Sequence, residues 1–309
     1  MQIDFWLSPW LLALLGLCIG SFLNVVAHRM PRQLERAWWL DVAESQLADA
    51  DAWRRVSGST GAPPPAFEAA ARVIKDRLEA LPALGLARPR SRCPACGHVL
   101  RWHENLPLIG WLRLKGKCSA CGVAISVRYP LVELGTALLF AGCGLKFGAT
   151  PAALVWCVAV ALMLAMALID LDTTYLPDDL TLPLLGLGLL GAGLGWTATP
   201  FEAAAWGALA GYASLWLLNF SYRHLRGVEG MGEGDFKLLA GLGALLGWQL
   251  LPSIVLLASA VGAVVGIAMV VFGGHKREVP IPFGPYLVGG GICALFFGQQ
   301  LSRLWFPTL

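Results

Sequence analysis

The stretch PAALVWCVAVALMLAMALIDLDTT, residues 151–174, carries no charge from Ala152 to Ile169 and then presents Asp170 and Asp172. At 1.5 Å per residue, such a run comes close to crossing the roughly 30 Å of hydrocarbon in a bilayer. It predicts a membrane helix with acid at its end. A carboxylate in or near hydrocarbon costs several kcal/mol by most estimates, so it is a candidate for function and calls for a partner.

The rest of the chain agrees with a membrane setting. Hydrophobic residues make up 57% of 309 and charged residues 14%, outside the range of soluble domains. Mean hydropathy is +0.63. Apolar runs near 6–27, 131–148, 151–170, 180–197, 203–220, 236–249, 250–272 and 285–303 predict an all-α polytopic protein of about eight transmembrane helices. The run at 236–249 is short, and reads as a short helix followed by a turn at Leu251-Pro252. Residues 28–130 hold 16 of the 23 lysines and arginines; Arg223, Arg226, Lys237, Lys276 and Arg277 fall in alternate later loops. By the positive-inside rule these segments are cytoplasmic and the amino terminus faces out. The first run has no basic n-region or cleavage pattern, so it is expected to stay as a helix. The net charge of +3 is explained by topology, with no nucleic-acid partner implied.

Three parts are therefore expected: a first helix over 1–27, a cytoplasmic insert over 28–130, and a seven-helix region over 131–309. The insert divides at Gly61-Ala-Pro-Pro-Pro65. Before the division, Trp38, Trp39 and Trp53 are mixed with charges. After it, Phe67, Ala70, Ala71, Ile74, Leu78 and Leu81 recur at helical spacing. Such helices suit a membrane surface, or equally packing on the rest of the insert.

Further along, Cys93-Pro-Ala-Cys96-Gly is matched by Cys118-Ser-Ala-Cys121-Gly. Paired C-x-x-C knuckles suit a tetrahedral Zn²⁺ on four thiolates, a closed and hence structural site. Disulfides are the alternative, disfavoured in a reducing compartment. His98 and His103 read as surface residues beside four available cysteines, and Cys18, Cys143, Cys157 and Cys293 as small hydrophobes in apolar runs.

A second acidic cluster completes the pattern. Asp235 opens the sixth run in GMGEGDFK (230–237), on the same predicted face as Asp170, Asp172, Asp178 and Asp179. Two carboxylates sharing a proton can hydrolyse a peptide: one takes a proton from water while the other polarises the scissile carbonyl. Gly232 and Gly234 would let the backbone approach closely and take positive φ. Taken alone, GEGD also fits a plain turn with an aspartate N-cap.

Together, GSFLNVVAHRMP (20–31), RCPACG through ISVRYPLVELGTALLF (92–140), IDLDTTYLPDDLTLPLL (169–185), GMGEGDFKLLAGLGALLGW (230–248) and IPFGPYL (281–287) resemble the bacterial type IV prepilin peptidases, intramembrane aspartic proteases. The resemblance covers nearly the whole chain; only 33–86 lacks a matching motif. It implies removal of a short basic leader from prepilins or pseudopilins, after a glycine, at the cytoplasmic face of the inner membrane. It also implies methylation of the new amino terminus from S-adenosylmethionine. Asp170, seven residues before Pro177, matches the aspartate of the family's D-x6-P motif, and Asp235 that of GxGD, with Gly232, Gly234 and Lys237 in support. Asp172, Asp178 and Asp179 become supporting residues, capping the next helix. Gly116 and Glu133 align with methyltransferase positions, although no Rossmann-type glycine loop is present.

Helix ends suggest a division of labour. Asp235 at a helix amino terminus suits the charged base, and Asp170 at a carboxyl terminus suits the shared proton. Glu229 and Glu233 would attract a basic leader, or serve as solvated loop charges. Two rival readings are a transporter with aspartates in broken helices, and a non-catalytic membrane scaffold whose zinc ribbon docks a partner.

Overall fold

Why the chain turns where it does is visible at its prolines and glycines. The computed structural model describes residues 5–48, 53, 55, 58, 65–272 and 281–305. The expected division at residues 61–64 and the basic pair Lys276 and Arg277 lie outside the described residues. Ten α-helices and one 3₁₀ turn are seen among those residues, with isolated β-bridges besides.

Helix α1 (Pro9–Ala48) is one 40-residue helix with Pro31 inside it. The sequence suggests an end near residue 27, where charges begin. Instead the helix continues past the apolar run, and Arg29, Gln33 and Arg36 on its later turns donate to the carbonyls of Leu81, Pro82, Leu84, Gly85 and Leu86. Helix α2 (Pro65–Glu79) follows, its Lys75 reaching Glu44 at 3.0 Å. Ala71 of its predicted apolar stripe is buried. Residues 28–101 form one compact unit, so within it α2 packs on the extension of α1.

Residues 1–27 and 102–309 form the other unit. It contains the short α3 (Ile109–Arg113), then α4 (Arg128–Phe147), α5 (Pro151–Thr173), α6 (Asp178–Gly193), α7 (Phe201–Arg226), α8 (Glu233–Leu246), α9 (Leu251–Phe272) and α10 (Gly284–Trp305). Each predicted run falls on one of these helices or on α1, and the chain is a polytopic all-α membrane protein. Four stretches, Pro9–Ser45, Arg128–Phe147, Pro151–Thr173 and Trp248–Phe272, are long and apolar enough to cross a membrane by themselves. The 16 residues of α6 and the 14 of α8 are short for a span.

The short α8 is nonetheless the centre of its unit. Phe236, Leu238, Leu239, Leu242, Ala244 and Leu245 are almost fully buried against α6, α7 and α10. Small residues permit this. A Cβ on Gly207 of α7 would stand 2.1 Å from the carbonyl oxygen of Gly243 in α8, and one on Gly243 the same distance from that of Gly207. Close backbone approach is how helices gain packing energy where hydrocarbon surrounds them. The turn after α8 forms earlier than expected: Gly247 at φ 83 breaks the helix, Trp248–Leu250 make a 3₁₀ turn, and α9 begins at Leu251.

Candidate active site

Asp170 lies in the last turn of α5, which stops at Thr174 in the left-handed region, φ 54. The chain then has three residues before α6. Pro177 is its N-cap at φ −72 and ψ 140, the extended geometry proline favours, and Leu180 donates its N–H back to the Pro177 carbonyl. The D-x6-P spacing is thus a helix end, a tight loop and a helix start. Asp178 and Asp179 do not cap α6, as the sequence suggests, because Pro177 occupies that position; they stand in its first turn.

Asp235 is the third residue of α8, whose N-cap is Gly232. Both aspartates are buried, at 4% and 8% exposure, an environment that carboxylates rarely occupy without a role. Their helix ends meet at Leu176: a Cβ on Gly234, the residue before Asp235, would stand 2.6 Å from Leu176 Cβ, and one on Gly284 would stand 3.1 Å from Leu176 Cδ1 and 2.6 Å from Asp170 Oδ2. The structure therefore brings together two acids 65 residues apart in sequence.

Their hydrogen bonding differs. The backbone N–H of Gly284, the first residue of α10, donates to Asp170 Oδ2 at 2.9 Å. Asp235 Oδ1 has no hydrogen-bond partner among the described residues. A donor therefore faces the aspartate that helix ends alone would leave with the proton, so helix dipoles do not by themselves divide the pair.

The motif glycines are less alike than their spacing suggests. Neither takes a positive φ, against expectation. Gly234 is needed for close approach: a Cβ there would lie 2.6 Å from Leu176 Cβ. Gly232 has nothing within 4 Å. Lys237 donates to both carboxylate oxygens of Asp178, at 2.7 and 2.8 Å, joining α8 to α6. Arg128, read from sequence only as a topology signal, bonds Asp172 at 2.6 Å and the Leu168 carbonyl at 3.2 Å. It thereby brackets Asp170 from the start of α4. Glu229 pairs with Arg223 at 3.4 Å, and both are exposed.

The cysteine knuckles are two copies of one turn. Cys93 N–H bonds the His98 carbonyl and Gly97 N–H the Cys93 carbonyl, while Cys118 bonds Val123 and Gly122 bonds Cys118, each at 2.9 Å. The glycine of each has φ 73. The four Sγ atoms lie within 4.8 Å of one another. Thiolates about 2.3 Å from one tetrahedral ion stand about 3.8 Å apart, so the donor set fits a metal such as zinc.

Gly116 and Glu133 sit on either side of α3. Gly116, at φ 69, packs so tightly on Trp111 that a Cβ would come 2.8 Å from its ring. Glu133, buried, accepts the N–H of Leu108 at 2.8 Å, and Leu108 itself has φ 58, uncommon for a branched residue. Both residues hold α3 in its place.

Residues 14–147 match the bacterial peptidase A24 N-terminal domain, and residues 157–267 match the type IV leader peptidase family. A protein of Burkholderia pseudomallei (strain 1026b) is 45% identical over 94% of this chain and 85% of its own. One from Aeromonas salmonicida (strain A449) is 44% identical over 98% and 96%, and one from Pseudomonas aeruginosa 44% over 94% and 91%. The chain belongs to the type IV leader peptidase family. All three relatives are named prepilin leader peptidase/N-methyltransferase. No solved structure matches the chain significantly. Within the leader peptidase family match lie both buried aspartates, while the cysteine knuckles, Gly116 and Glu133 lie in the N-terminal domain match.

Leu176 and Gly284 escape sequence reasoning as site residues. IPFGPYL marks the segment of Gly284 as special, but nothing local says that its N–H turns to Asp170. Leu176 carries no signal at all beyond its place before Pro177.

Proposed function

We propose that this chain is an aspartic endopeptidase that removes the leader of type IV prepilins or pseudopilins at the cytoplasmic face of the inner membrane. Asp170 and Asp235 divide the labour of activating water and polarising the scissile carbonyl. The observation that carries this reading is the burial of both acids at meeting helix ends, with one Asp235 oxygen lacking a donor among the described residues. Buried polar atoms are almost always satisfied, so that oxygen is suited to a water or a substrate.

The substrate follows from the setting. A prepilin with a basic leader ahead of an apolar helix rests with its cleavage point at the membrane boundary, cut after a glycine. Locally the peptide must be unwound, because helical hydrogen bonds shield its carbonyls.

The N-terminal domain carries the second activity, methylation of the freed amino terminus with S-adenosylmethionine as donor. Gly116 and Glu133 contribute by shaping the backbone around α3, with residues 28–130 as the methyltransferase and zinc-bearing part and 131–309 as the protease. Cys93, Cys96, Cys118 and Cys121 would hold Zn²⁺, which supplies a structural cross-link and no reaction step.

The test is the mass of a processed substrate. Purified protein in lipid nanodiscs, given a prepilin and S-adenosylmethionine, should yield a mature chain beginning after the leader glycine and heavier by one methyl group. An uncut substrate would overturn the peptidase reading; a cut but unmethylated one would overturn the second activity alone.

A further inference from the structure

The side chain of Leu176 sits where three backbones meet. It is the last of the six residues between Asp170 and Pro177, and is 7% exposed. Proline restricts the residue before it, which helps to fix where Leu176 points. On one side lies Gly234, the residue before Asp235, whose added Cβ would stand 2.6 Å from Leu176 Cβ. On the other lies Gly284, the donor to Asp170, whose added Cβ would stand 3.1 Å from Leu176 Cδ1 and 2.6 Å from Asp170 Oδ2.

From this geometry we infer that Leu176 is a positioning residue for the aspartate pair: a spacer that sets how closely the starts of α8 and α10 approach the end of α5. Its Cβ is the surface against which the backbone of the residue preceding Asp235 rests. Its far methyl is the surface against which the N–H donor of Asp170 rests. One side chain thereby sets the placement of both carboxylates without being one of the pair. The spacing in D-x6-P acquires a physical meaning, since one residue more or fewer would carry this side chain out of the wedge. Gly234 has the complementary meaning: it is glycine because Leu176 occupies the space of a Cβ.

A positioning role of this kind acts on the chemical step more than on substrate affinity, because misplacement of a catalytic group by about 1 Å can cost on the order of 100-fold. The inference rests on the aspartic peptidase reading, and the experiment separates the two. Cleavage of a prepilin by the unaltered protein in nanodiscs is measured first; if absent, that reading fails. With cleavage in hand, Leu176→Ala should lower kcat at least tenfold with KM changed less than threefold, whereas Leu176→Met should keep most of kcat. Should Leu176→Ala fail to accumulate, Leu176→Val takes its place, with a kcat loss of at least threefold required.

Rescue then distinguishes a wedge from general loosening. Gly234→Ala should be nearly inactive, and adding Leu176→Gly should recover at least fivefold of its kcat by removing the Cβ in the way. The same Leu176→Gly should not rescue Gly284→Ala, whose new methyl meets Asp170 itself. An unchanged kcat in the Leu176→Ala or Leu176→Val protein, or equal rescue of both glycine variants, would overturn the inference.

Discussion

Lys237 donates to both carboxylate oxygens of Asp178, so the first turn of α8, which holds Asp235, is tied to the first turn of α6. Arg128 does the same for the last turn of α5 through Asp172 and the Leu168 carbonyl. Two ion pairs thus brace the helix ends that carry the two acids, and neither pair uses the acids themselves.

The brace predicts a small cost in stability and a larger one in rate. Lys237 and Asp178 are 24% and 52% exposed, where a pair of this kind contributes about 0.2–1 kcal/mol. Lys237→Met should shift thermal unfolding by only a few degrees yet lower kcat about three- to tenfold. A double-mutant cycle with Asp178→Asn should show that the two losses are not additive; strict additivity would mean that the pair does not act as one.

The GxGD glycines should behave unequally. Gly232 at φ −76 has open space around its would-be Cβ, so Gly232→Ala should cleave within about twofold of the unaltered protein. A loss of activity as deep as that of Gly234→Ala would show that Gly232 has a role in substrate contact.

Packing of α7 on α8 should be the least tolerant feature of the bundle. Gly207→Ala places a methyl against the Gly243 carbonyl, and overpacking of backbone costs about 1–3 kcal/mol or more. The expected readout is a lowered unfolding temperature together with lost cleavage.

Metal should be present at about one zinc per chain, held by Cys93, Cys96, Cys118 and Cys121. Because thiolates must be deprotonated to bind, zinc should be released on acidification or by chelator, and lost when the four cysteines are replaced together. Disulfides in place of zinc would contradict both the site and its cytoplasmic placement.

Lys75 offers a pH test outside the membrane. The hydrogen bond that Lys75 donates to Glu44 raises its pKa above 10.5, with the Glu44 charge second. A group raised on folding contributes stability below its unfolded value and loses it as pH rises through the folded one. Hydrogen-exchange protection of α2 relative to a Lys75→Met protein should therefore be present near neutrality and be lost as pH rises through the raised Lys75 pKa. At high salt the difference should shrink, since the pair is exposed.

Much of this was legible in the sequence because apolar runs report hydrocarbon directly, and every expected run became a helix. Paired knuckles were legible because each C-x-x-C-G is a local turn. The joining of α1 to its extension was not, since the charges after residue 27 end the apolar run without ending the helix. Asp178 misread as a cap has a similar cause: a proline in extended geometry took the position that propensity assigns to an acid. Leu176 and Gly284 depend on three distant segments meeting, and no local pattern encodes that.

The most direct measurement is single-turnover cleavage of a prepilin in nanodiscs by the unaltered protein, Asp170→Asn and Asp235→Asn, each checked for intact folding. Two acids acting on one water predict that either substitution alone reduces the rate by at least a thousandfold. Folded variants that both cleave at the unaltered rate would contradict it.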